Sequence, residues 1–230
     1  MAITNYDLTI DSTDASDREF PTTVKPSKIS VSIEQPTLTS TTNALTTQRR
    51  TLGAHRIQLE YTYPPMDADE MQPFIGFFNA MQGQTKAFKL NVPKELINDS
   101  THIADTATHN VLIENGSPHN STGAVGQRVI RVDNFGNNLT TAIKAGNFIQ
   151  FSNHDKIYVV AADGGSDGDG DCLIRFEPGL LTAITASHDL NNFDEDIPLH
   201  AIFASSTIEF DVNSALLYGF KINFVEQWTN

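Results

Sequence analysis

The sequence predicts a mainly β chain with one flanking α-helix and a small antiparallel β domain inserted between its ends. Period-two alternation recurs near both ends of the chain, a single stretch shows apolar spacing of three and four, and the middle is rich in Asn, Asp, Gly, Ser and Thr with short β bursts.

Taken in order, residues 11–28 are rich in Asp, Ser, Thr and Pro and have little apolar surface to offset their ordering entropy. The expectation is an arm that stays extended or mobile until a partner holds it. Ile29, Val31 and Ile33 then alternate with Ser30, Ser32 and Glu34, the period of a strand with one buried face. Residues 35–53 form a long polar stretch ending near Arg49 and Arg50, longer than the usual connection in a compact domain. Such a loop is either functional or disordered. Ile57, Leu59 and Tyr61 alternate with Gln58, Glu60 and Thr62, so loop and flanking strands read as a long-looped β-hairpin.

After Pro64 and Pro65 the spacing of Met71, Phe74, Ile75, Phe78 and Met81 predicts a helix over 67–82, with Asp67 and Glu70 as a capping box and Gly83 ending it. Pro73 lies early enough that its missing N–H costs little. A strand over 88–92 follows. Bursts at 127–132, 147–151, 156–161 and 172–176, separated by Gly and Asn turns, suggest a small antiparallel barrel or sandwich. Strands over 199–204, 207–212 and 218–226 then return to complete the sheet begun near the N-terminus. The organisation expected is a discontinuous domain, 1–93 with 196–230, interrupted by a β domain at 94–195 of about a hundred residues, a typical domain size.

The 230 residues are 39% hydrophobic, enough for one sizeable core or two small ones. Fifteen Lys and Arg against 28 Asp and Glu give a formal charge of −13, which argues against a surface that holds nucleic-acid phosphates or anionic lipid. The single Cys172 excludes an intrachain disulfide and a cysteine zinc site. Residues 1–17 lack the basic and apolar regions of a signal peptide, and no segment reaches the apolar length of a membrane span. A soluble protein made in the cytoplasm, with no membrane partner, is expected.

Chemistry has little support. Gly164-Gly165-Ser166-Asp167-Gly168 matches a nucleophile elbow, but a strand follows where the elbow needs a helix. Asp163, Asp167, Asp169 and Asp171 alternate in a way that can gather oxygen ligands around calcium, a weak candidate beside the plainer reading of a solvated turn. The EF-hand pattern fails, since Cys172 and Pro178 occupy the positions of its glycine and its bidentate glutamate. Of seven histidines, none shows zincin spacing. His55 and His200 fall in strands, and His102, His109, His119, His154 and His188 fall in polar loop sequence expected to be exposed. Tyr218, Phe220, Phe224 and Trp228 fit a sugar-stacking platform or, more simply, core. No enzyme, cofactor or metal is expected.

One stretch has a recognisable order. Arg49-Arg50-Thr51-Leu52-Gly53-Ala54-His55-Arg56 leads into the strand at 57–61, followed by prolines, the helix, Gly83-Gln84-Thr85 and the strand at 88–92. This order resembles the tail-tube-related proteins at the distal end of tailed-phage tails, the distal tail or baseplate hub group. The similarity covers residues 29–93 and, more loosely, the closing strands through 226. It implies a tail-tube-like β-sandwich or barrel with a flanking helix, assembled as a homohexameric ring, with a second β domain outside. It also implies that a long hairpin, here carrying Arg49 and Arg50, packs adjacent rings. The partners implied are further copies of the chain, the tail tube protein, and tip, baseplate or fibre proteins, with DNA only in passage. The location implied is the virion. A lumen that conducts DNA should repel phosphate, which suits an acidic chain. The alternatives are a carbohydrate- or receptor-binding β module and the tail-tube subunit itself.

Overall fold

The computed structural model describes residues 18–53, 55–93, 108–113, 121–191 and 197–228. Along the chain it is mainly β, with one helix. The first strands are β1 (Lys28–Glu34), β2 (Thr37–Thr41), β3 (Thr47–Thr51) and β4 (Arg56–Thr62). Helix α1 (Ala68–Ala80) precedes β5 (Phe88–Val92), β6 (His109–Leu112), β7 (Val129–Val132) and β8 (Phe148–Phe151). The rest are β9 (Ile157–Val160), β10 (Cys172–Glu177), β11 (Asp189–Asn191), β12 (Ile197–Phe203), β13 (Phe210–Val212) and β14 (Tyr218–Glu226). These elements divide into two compact units, one of Met1–Glu34, Arg56–Asn91 and Pro198–Gln227, the other of Gln35–His55, Val92–Ile197 and Trp228–Asn230.

The first unit is a sheet ordered β1-β4-β14-β12-β5, with β13 paired to the other half of β14. Strands from both ends of the chain thus share one sheet: Leu59 lies opposite Val31 on one side and Phe224 on the other. The helix covers one face. Its start is the expected capping box, with the Glu70 N–H donating to Asp67 and the Asp67 N–H donating to Glu70, at 2.9 and 3.0 Å, a cap of about 1 kcal/mol. Pro73 sits inside the helix and removes one N–H to the Asp69 carbonyl.

Met71, Phe74, Phe77 and Phe78 point inward onto an aromatic cluster with Tyr63, Phe88, Phe203, Phe220 and Phe224. Phe20 joins it, 4.9 Å from Phe224 between ring centroids and 5.5 Å from Phe77. The arm is therefore tied down along its described part. Phe20 is buried, and the Phe20 N–H and the Arg18 carbonyl bond the backbone of Lys89 at 2.9 and 2.7 Å. One aromatic residue, making several pairs of about 0.5–1.5 kcal/mol each, supplies what the polar composition around it lacks.

The second unit contains a closed six-stranded barrel in the order β10-β7-β6-β11-β8-β9, and a separate two-stranded ribbon of β2 and β3. The four expected bursts correspond to β7, β8, β9 and β10; β6 and β11, of four and three residues, complete the ring. Its interior is filled by Val111, Ile130, Val132, Ile149, Phe151, Tyr158, Val160, Ile174, Phe176 and Leu190, all buried, as expected for a small barrel. Residues 35–53, read above as one long loop, are in fact this ribbon, with Thr39 opposite Arg49 and Leu38 opposite Arg50.

Candidate assembly surface

The sequence-derived site candidates are absorbed by the barrel's own architecture. Asp167 accepts the N–H groups of Asp169 and Asp171 at 3.0 and 2.9 Å. Those bonds, the one from Asp171 foremost, hold its carboxyl below the usual range, and the neighbouring Arg131 adds to the effect. Arg131 pairs with Asp167 at 3.1 Å and with Asp171 at 2.7 Å. Asp171 is shifted upward by desolvation despite that cation. Asp163 accepts from the Ala145 N–H at 2.8 Å, away from the Arg131 pair. The aspartates are thus turn and ion-pair partners, and among the described residues no group of three or more His, Cys, Asp or Glu is arranged to hold a metal ion.

Ser166 accepts the Leu139 N–H at 2.9 Å and donates to the Gly136 carbonyl. Its place is an isolated β-bridge with Cys172, not a turn into a helix. The glycines around it serve close backbone approach: a Cβ on Gly170, where φ is +87°, would overlap the Phe135 carbonyl oxygen. Cys172 is buried, which pushes its thiol up to about 12.

The histidines differ from their sequence setting. His109 lies in β6, is buried, and stacks on Phe135 with ring centroids 4.3 Å apart. His154 bonds Asn153 and the Tyr158 hydroxyl at 2.7 and 2.8 Å, and burial lowers it to about 4. His55 is also lowered to about 4, by burial and then by Lys156; its Nε2 lies 3.1 Å from the Ile157 carbonyl. Positions 102 and 119 lie outside the described residues. Phe220 and Phe224 are core, and Trp228 lies under the Lys156 ammonium, 4.7 Å from ring centroid to Nζ. Tyr218 is half-buried, its ring centroid 5.8 Å from that of the exposed Phe210.

What remains outward is apolar edge and ribbon. In β1, Val31 and Ile33 are 37% and 40% exposed although they lie opposite the buried Leu59 and Ile57. Ile29, on the same face of β1, is itself only half-buried, and Glu34 at the strand end is exposed. The strand therefore extends the core face beyond its cover. At the other side of the sheet, Phe210 and Val212 in β13 are exposed opposite Phe220 and Tyr218.

The ribbon is exposed along all of β2 and β3. Among the described residues Arg49 and Arg50 make no ion pair. Two turns share one construction: Leu45 N–H donates to Thr42 O and Thr42 N–H to Thr46 O, while Leu216 N–H donates to Asn213 O and Asn213 N–H to Leu217 O. Each leucine adopts positive φ, +60° and +58°, and each is largely exposed. A β-carbon there costs about 1 kcal/mol, so glycine or asparagine is the usual occupant. Sequence reading missed both, since Asn-Ala-Leu and Ser-Ala-Leu lack the glycine that marks such turns.

No helix among the described residues is long and apolar enough to cross a membrane. No protein-family model matches the chain, and no curated protein matches it.

Proposed function

We propose that this chain is a structural protein of a phage virion, a homohexameric ring that joins the tail tube to tip, baseplate or fibre proteins and lets DNA pass. It is made in the host cytoplasm and acts by contact, without catalysis, cofactor or membrane. The observation that carries this reading is the sheet of the first unit. Sequence-distant strands complete it; of its outer strands, β5 is bridged by Glu19, whereas β1 and β13 carry exposed apolar side chains on the face that is buried elsewhere. Uncovered edges of this kind invite strand pairing, and closure by rotated copies removes them all at once.

The formal charge of −13 suits a conduit that must not retain polyanionic DNA. The ribbon of β2 and β3 is exposed along both strands and its only charged groups are the cations Arg49 and Arg50, which suits contact between successive rings.

Purified tails labelled with an antibody against the barrel unit test the assignment. Labelling at the distal end, at six copies per tail, is expected. Label along the whole tube would identify a tube subunit instead, and no label on any tail would remove the chain from the virion.

A further inference from the structure

The two open edges of the first unit are complementary. We infer that β1 of one copy pairs with β13 of the next, with Phe210 opposite Val31 and Val212 opposite Ile29. This rests on the ring reading above and names its contact.

Three steps of strand pairing separate the edges: β1 with β4, β4 with β14, and β14 with β13, each antiparallel. An odd number of reversals makes β13 run opposite to β1 within one copy. A neighbour placed by rotation, so that it continues the sheet, therefore presents its β13 antiparallel to β1, the slightly more stable ladder.

Parity narrows the register. Phe210 and Val212 lie on the face of Phe220, and Ile29, Val31 and Ile33 lie on the face of Leu59, the buried face of the same sheet. A one-residue slip would turn one set to the opposite face, so Phe210 and Val212 must oppose odd-numbered residues of β1.

Charge and apolar overlap together select among these registers. The β1 edge begins at exposed Lys28, with exposed Lys25 just before it, while β13 carries exposed Asp211 and follows exposed Glu209. Among the described residues none of the four makes an ion pair. With Phe210 opposite Val31, Asp211 faces Ser30 and lies diagonal to Lys28, a distance at which long side chains interact across strands. Shifting by two residues, to Phe210 opposite Ile33, would set Glu209 opposite Glu34, a like-charge pair that destabilises the ladder. Shifting the other way, to Phe210 opposite Ile29, would set Asp211 opposite Lys28 but leave Val212 opposite polar Ser27, beyond the end of β1, and lose one of the two apolar pairs. The contact is heterologous, using a different surface on each partner, and so it generates a ring when the rotation closes.

Two variants of the full chain, Phe210→Cys and Val31→Cys, are mixed in equal amounts and oxidised mildly; buried Cys172 stays out of the reaction. A disulfide-linked pair containing one chain of each variant is expected, in excess over either variant alone. A ring that forms without this cross-link overturns the contact and leaves the ring reading standing. A wild-type chain that stays monomeric at every concentration overturns both. As a second reading of the same contact, Val31→Lys is expected to weaken self-association about tenfold or more with its thermal midpoint unchanged. Unaltered self-association in that variant also overturns the contact, as would assembly only with a different tail protein seated on β1.

Discussion

His55 and His154 show how far a residue's environment overrides its sequence neighbourhood. His154 sits in polar loop sequence and His55 at the start of a strand, yet both are lowered to about 4, in each case first by burial. The neutral ring of His154 fits its partners: Nδ1–H donates to Asn153, Nε2 accepts from the Tyr158 hydroxyl, and that oxygen accepts the Leu181 N–H at 3.2 Å. A histidine held neutral in the fold takes up its proton first in the unfolded chain. Its contribution is present above pH 6.5 and is lost as pH falls from 6.5 towards 4. At about 1.4 kcal/mol per unit the loss is at most about 3.5 kcal/mol for each histidine, and less where partial exposure lets water screen the ring. The thermal midpoint of the barrel unit, followed by the Tyr158 near-ultraviolet signal, is expected to drop by several degrees between pH 7 and 4.5. His154→Gln is expected to flatten that slope; an unchanged slope would show that His154 is protonated in the fold. His154 was not legible as buried, because its cover comes from Phe151 in β8 and Tyr158 in β9 rather than from local pattern. The aspartates misled in the opposite sense. Their alternation is real, but Arg131, brought in by the fold from outside the motif, takes two of them.

At the scale of elements, legibility followed the length of the pattern. The strand at Tyr218–Glu226 and the helix with its Asp67 cap were readable because each carries several periods and its own stop signals. The barrel strands at 109–112 and 189–191 were not, since four and three residues hold too little periodicity. The ribbon was missed for a different reason: its strands are exposed on both faces, so no apolar alternation marks them. An isolated two-stranded ribbon is marginal in water, and this one gains its stability on contact in the proposed assembly. Trypsin should therefore cut at Arg49 and Arg50 in the isolated chain and leave them intact in assembled tails. Mass spectrometry of the fragments reads the difference, and equal cleavage in both would remove the ribbon from the inter-ring contact. The strand at Lys28–Glu34 teaches the same lesson in reverse. Its alternation correctly indicated a strand with an apolar face, but period alone does not say whether that face is covered by the same chain.

For the whole molecule, strands from both ends of the chain share one sheet, with Val31, Leu59 and Phe224 in one row; the two units divide differently from the expected boundaries, since Gln35–His55 falls in the second. The second unit buries its own barrel core and needs no partner to account for its packing. The first does not, because its apolar face runs past the helix to both edges. In the proposed ring, closure by rotated copies would cover the apolar edges of an acidic chain whose charge opposes unspecific association. Negative-stain electron microscopy of the purified chain at micromolar concentration tests this most directly. Closed rings with six-fold symmetry and an open centre are expected; particles that remain single copies, or open filaments with no closed ring, would contradict the account.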